Sequence, residues 1–104
     1  MTRNDLKIKP VEVTERCFEL LNEAIIYLRD KVLAPTQAEI MNDQFFAAIK
    51  QLETTPWIGI PYKRGMKAIK LGKFSYNIYY RENEDNIDIL GIWHTSRGTE
   101  FEEG

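Results

Sequence analysis

The strongest constraint in this sequence lies in residues 66–97, MKAIKLGKFSYNIYYRENEDNIDILGIWHTSR. The runs Lys67–Leu71, Phe74–Arg81 and Ile87–His94 are rich in Ile, Tyr and Trp, and the short turns Gly72–Lys73 and Glu82–Asn86 join them. Branched and aromatic side chains pack well on a pleated surface, whereas Gly, Asn and Asp accept turn geometry, so the pattern predicts an antiparallel meander. Within Phe74–Tyr80, one parity carries Phe74, Tyr76, Ile78 and Tyr80 and the other Ser75, Asn77 and Tyr79. This predicts one buried face and one partly wet face. Ile87–His94 is apolar on both parities apart from Asp88 and His94, which suits a central strand.

The residues upstream read as a cover for that sheet. Leu6–Val13 is expected to be a first strand; Pro10 cannot donate to a ladder, so it sits at an edge or the strand begins at Val11. Thr14 is an N-cap candidate, and Cys17, Leu21, Ala24 and Leu28 then recur at helical spacing, with Phe18, Ile25 and Val32 widening the stripe. This first helix is expected over Glu15–Leu33, ended by Ala34-Pro35. Thr36 to Glu39 reads as a capping box opening a second helix, whose stripe is Met41, Phe45, Ala48 and Leu52 with Ile40 and Ile49, closed by Thr54-Thr55-Pro56. So short a connection makes the helices an antiparallel hairpin. Pro56–Gly65 is expected to be an irregular loop whose Trp57, Ile58, Ile60 and Tyr62 pack over a core edge. The expected fold is therefore α+β: an N-terminal strand, then a helical hairpin packed on a small, mainly antiparallel sheet, in the order β-α-α-β-β-β.

A chain of 104 residues with 43% hydrophobic and 29% charged residues is one domain, spanning 1–104, with a single core. No apolar run approaches the roughly 20 residues that cross a bilayer, so no membrane partner is expected. MTRNDLKIKP lacks the apolar core of a signal peptide, and a cytoplasmic location is expected. One cysteine, Cys17, makes no internal disulfide and reads as a small buried apolar residue. With one His and one Cys and scattered glycines, neither a metal cluster nor a phosphate-cradling loop is present; no cofactor is expected.

Net charge is −2, which excludes polyanion binding by bulk electrostatics, but the distribution is uneven. Lys63, Arg64, Lys67, Lys70, Lys73 and Arg81 lie in a stretch without a single acid, while Glu100, Glu102 and Glu103 crowd the other end. The basic stretch reads either as a local anion-binding face or as the solvated rim of the sheet.

Taken together, several pieces resemble one family. They are Phe46, Ile49 and Leu52; Pro56-x-x-Gly59-x-Pro61; Gly65-Met66-Lys67; Lys73-Phe74-Ser75-Tyr76-x-Ile78-x-Tyr80; and Ile89-Leu90-x-Ile92-x-His94-x-x-Arg97. In order and spacing they resemble the RelE/ParE superfamily of type II toxin–antitoxin toxins, and most closely its ParE-like, plasmid-stabilisation branch. The resemblance implies the same helical hairpin on an antiparallel sheet, growth inhibition, and neutralisation by a cognate antitoxin. Two mechanisms occur in such proteins, poisoning of DNA gyrase and cleavage of mRNA on the ribosome, and a shared fold does not choose between them.

If the chain is a ribonuclease, His94 is the candidate general acid or base, Lys67 and Arg97 hold the phosphate, and Tyr76 or Tyr79 stacks on a base. The structural alternative has His94 capping the last strand and Lys67 a solvated strand charge. Many ribonuclease members carry arginine where Lys67 stands, and lysine lacks the bidentate fork that fits a phosphate. They also place a tyrosine near the chain end, where this chain has Thr95 and Ser96. These departures favour a ParE-like toxin acting on gyrase over an mRNA endonuclease, with a degenerate, non-toxic binding module as a third reading. The expected antitoxin or target face comprises Lys63, Arg64, Lys67, Lys70, Tyr79 and Arg81.

Overall fold

The computed structural model describes residues 8–103. The element order is β1 (Val11–Val13), α1 (Glu15–Ile26), α2 (Pro35–Thr54), β2 (Ile60–Tyr62), β3 (Met66–Lys70), β4 (Tyr76–Glu82) and β5 (Ile87–His94). The five strands form one sheet in the order β1-β5-β4-β3-β2. β1 pairs with β5 in parallel and every other pair is antiparallel. The α+β architecture is thus the one expected. Of the first strand, the part before residue 8 lies outside the described residues, and the rest begins at Val11, just past Pro10.

Thr14 opens α1 as its sequence suggests: its hydroxyl accepts from the Cys17 amide at 3.1 Å. The helix does not run regularly to Leu33. After Ile26 it widens into a π-type turn over Tyr27–Lys31, and Leu33 adopts a left-handed conformation (φ 60°). That turn lets the Ala34 amide reach back to the Leu28 carbonyl at 2.8 Å, closing the helix end. The capping box at Thr36 and Glu39 does not form. The N-cap of α2 is Ala34, which makes no side-chain cap hydrogen bond, and Pro35 takes the first turn, where its missing N–H costs nothing.

Both helices lie on one face of the sheet. Cys17, Leu21 and Ala24 from α1 and Met41, Phe45 and Leu52 from α2 bury against Ile78, Tyr80, Ile87, Ile89 and Ile92. The apolar stripes are narrower than expected, since Phe18, Val32 and Ile40 remain exposed.

The segment 56–65 is not wholly irregular. Ile60–Tyr62 pairs with Met66–Ala68 as an edge strand, where Pro61 is tolerated because one side of the strand has no ladder partner. The loop before it is fixed by Tyr80, whose buried hydroxyl donates to the Pro56 carbonyl at 2.7 Å and accepts from the Gly59 amide at 2.9 Å. Gly59 lies so close to the ring that a Cβ there would meet Tyr80 Cε1 and Lys67 Cβ at 2.9 Å. The spacing of Pro56, Gly59 and Pro61 therefore has a mechanical basis: a buried turn, a close approach, then an edge.

β5 carries a bulge. Tyr79 faces Gly91 and Tyr80 faces Ile89, so Leu90 is the extra residue. Ile89 and Ile92 consequently face the helices, while Leu90 and Trp93 pack on the opposite, outer face. That face is not wet at Tyr79, which is only 6% exposed.

Candidate functional site

What covers the outer face is the segment 99–103. Phe101 is fully buried, stacked on Tyr79 with ring centroids 4.6 Å apart and edge-on to Trp93 at 5.9 Å. Met66, Leu90 and Leu20 complete its surroundings. Gly91 makes the fit possible, because a Cβ there would overlap the Phe101 ring, with Cζ at 2.7 Å. Backbone anchors hold the segment on both sides. The Trp93 indole N–H donates to the Thr99 carbonyl at 2.9 Å and the Tyr62 hydroxyl to the Phe101 carbonyl at 3.2 Å.

The flanking carboxylates meet two cations of the acid-free stretch. Lys63 Nζ donates to Glu100 at 2.8 Å and to Glu102 at 2.6 Å, and these hydrogen bonds raise the lysine pKa and lower that of Glu102. Arg81 makes a bidentate pair with Glu103 at 2.8 and 2.9 Å, and the same guanidinium donates to the Arg64 carbonyl at 2.8 Å. The Arg81 hydrogen bond holds the Glu103 carboxyl below its usual range. Arg64, in a left-handed conformation (φ 59°), and Lys70 are exposed; among the described residues neither has an ion pair.

Of the residues expected on the antitoxin or target face, Lys63, Arg64, Tyr79 and Arg81 are thus gathered around the 99–103 segment, and Lys70 lies on the neighbouring part of the face. Lys67 is elsewhere. It points to the helix side, where its Nζ sits 3.2 Å from Glu82, which Lys9 also holds at 3.0 Å. These contacts, the Lys9 hydrogen bond first, lower the Glu82 pKa.

His94 lies at the far end of the sheet. Its ring packs edge-on against Tyr76 at 4.9 Å, and Nδ1 accepts from the Ser96 amide at 3.0 Å. An acceptor Nδ1 leaves the neutral ring's proton on Nε2. The ring borders an open pocket of about 410 Å³ with Glu23, Tyr27, Tyr76, Ser96 and Arg97. The Arg97 guanidinium also lies over the Trp93 ring, 4.1 Å from its centroid. The structure therefore brings His94, Tyr76 and Arg97 together. It separates Lys67 from them: Lys67 pairs with Tyr80 and His94 with Tyr76, four residues apart along β4, or roughly 13 Å at about 3.3 Å per residue. Cys17 is fully buried and its thiol is pushed up to about 12 by desolvation, which makes it unreactive. Among the described residues, no group of three or more His, Cys, Asp or Glu side chains is placed to hold a metal ion.

Reading residue by residue missed Phe101 and its acidic neighbours. The signal was present: an aromatic residue between glutamates, opposite an acid-free basic stretch.

The helical hairpin on one face of a mainly antiparallel five-stranded sheet defines an α+β fold. Residues 11–98 match the model of the ParE toxin of the type II toxin–antitoxin system, parDE, and the chain belongs to this family. It is accordingly the toxin component of a type II module. Among solved structures, one described as the chromosomal ParDE TA system from P. aeruginosa shares the fold, with a TM-score of 0.76 at 16% identity over 86% of this chain and 99% of that one. No curated protein matches the chain. No helix among the described residues is long and apolar enough to cross a membrane.

Proposed function

We propose that this toxin arrests growth by binding DNA gyrase in the cytoplasm, stabilising the replicon that carries it, and that a cognate antitoxin neutralises it by direct contact. The observation that carries a protein-binding mechanism is the distance between Lys67 and His94, together with the ion pair that already occupies Lys67. A phosphoryl-transfer site needs its acid, base and cation around one reacting group. In this chain the lysine is roughly 13 Å away along β4. On the outer face Arg64 and Lys70 are exposed to a protein partner, while Lys63, Tyr79 and Arg81 are reached once the 99–103 segment is moved aside.

The test is direct. Purified toxin added to gyrase and supercoiled DNA is expected to accumulate protein-linked, cleaved DNA, and cognate antitoxin to abolish it. A second reading, an mRNA endonuclease, is favoured by the pocket that joins His94, Tyr76 and Arg97. Primer extension on translated mRNA after induction separates the two. Cuts that disappear with His94→Ala, without trapped gyrase, would replace the gyrase reading.

A further inference from the structure

The segment 99–103 is held as a peptide is held in a groove. It belongs to no strand, and it is held by an inserted aromatic ring, three carbonyls accepting from Trp93, Tyr62 and, at 3.5 Å, Arg16, and carboxylates on Lys63 and Arg81. It also follows directly on the residues matched by the family, which end at 98. The pairs lie at the surface, where each contributes little and is screened by salt. The groove extends past its occupant. Tyr62, Ala68 and Tyr79 also line a cavity of about 640 Å³, which Lys70 and Lys73 border. A segment longer than this one would find more room and two more cations.

We propose that the outer sheet face is a receptor for an acidic protein segment carrying an aromatic anchor, and that residues 99–103 occupy it in cis as a competitor the partner must displace. The proposal rests on taking this face as the partner-binding one, and it adds the class of segment that binds. The occupant is read from its stand-in: carboxylates on either side of a phenyl ring, with peptide carbonyls meeting the Trp93 and Tyr62 donors. What the stand-in presents is peptide-specific in its spacing: the Thr99 and Phe101 carbonyls, two residues apart on one backbone, bracket the face that receives the ring. A tethered competitor acts at an effective concentration of order mM, so the receptor is hidden from weak ligands while the segment is docked.

The probe is a fluorescein-labelled peptide of residues 98–104, GTEFEEG, titrated onto full-length chains and read by anisotropy. Phe101→Ala removes the cis anchor, and the triple change Glu100→Gln, Glu102→Gln, Glu103→Gln removes the cis charges but keeps the ring. Each is expected to bind the peptide at least roughly tenfold more tightly than the unaltered chain. Adding Gly91→Ala to either variant fills the ring's seat, leaves every cation in place and is expected to abolish the gain. The triple variant decides the question if Phe101→Ala does not fold, as judged by circular dichroism.

Equal binding by all folded chains would overturn the proposal, as would a gain that survives Gly91→Ala. An RNA oligonucleotide of matched charge binding the released face more tightly than the peptide would overturn it too, as would a dimer formed by exchange of 99–103. No readout involves gyrase or growth, so loss of the gyrase reading leaves the peptide result standing, and the converse holds.

Discussion

The contact between Tyr80 and the loop that precedes β2 yields a prediction with a definite size. Tyr80→Phe removes only a hydroxyl, but that oxygen donates to the Pro56 carbonyl at 2.7 Å and accepts from the Gly59 amide at 2.9 Å. Pro56 is buried, so its carbonyl gains no water in exchange; Gly59 is half-buried, so its amide recovers part of its loss. One stranded buried acceptor plus one partly lost bond cost about 2 kcal/mol. For a domain of this size, that lowers Tm by roughly 8–16 °C. Gly59→Ala attacks the same contact from the other side, because its Cβ would force the loop off the Tyr80 ring. The two changes break one set of bonds, so the double variant should be more stable than the sum of the singles implies, by about 1–2 kcal/mol. Urea and thermal unfolding of the four chains, followed by circular dichroism, measure both quantities. A loss under about 0.5 kcal/mol for Tyr80→Phe, or strict additivity, would refute the claim that Tyr80 fixes this loop.

Two other measurements follow from local geometry. Leu33 is left-handed and 77% exposed, so Leu33→Gly removes a Cβ clash at no cost in packing and is expected to raise stability by up to about 1 kcal/mol in urea titration. Burial pushes the Cys17 thiol from 9.0 up to about 12, and burial likewise raises Tyr62, Tyr76 and Tyr80 above their ordinary value of 10.0. These groups ionise first in the unfolded chain, so their contribution is complete below pH 9 and is lost as pH rises from 9 toward 12. Tm should therefore begin to fall above pH 9, and Cys17→Ala should make the fall shallower between 9 and 12.

The helix-side core was legible because periodicity reports burial directly. The two-sided apolar pattern of Ile87–His94 predicts a central strand, and β5 occupies those residues with a neighbour on each side. Thr14 was legible because a hydroxyl before an apolar stripe has one obvious use. Thr36 and Glu39 have the same pattern and a different outcome, since Pro35 enters the helix first and moves the cap to Ala34. β2 was hidden by Pro61, which argues against a central strand but not against an edge. The burial of Tyr79 was not legible from its strand at all. Its cover comes from Phe101, 22 positions later, and strand alternation says nothing about what a distant segment lays across a face. The site residues were partly legible: in a meander Lys67 opens one outer run and His94 ends the other, with β4 between them, and the register measures how far apart that leaves them.

The strand order has a consequence for how the toxin comes into being. β5, the last of the five described strands to be made, lies between β1 and β4, so these two sides of the sheet cannot join until residues 87–94 have left the ribosome. At about 5–20 residues per second, β5 is complete roughly 4–16 s after β1, and for most of that interval α1 and α2 have no complete sheet to cover. The finished surface therefore appears in one late step. A chain released before Ile87 lacks the strand that joins its two halves, so premature termination yields an unfolded fragment in place of a weakened toxin.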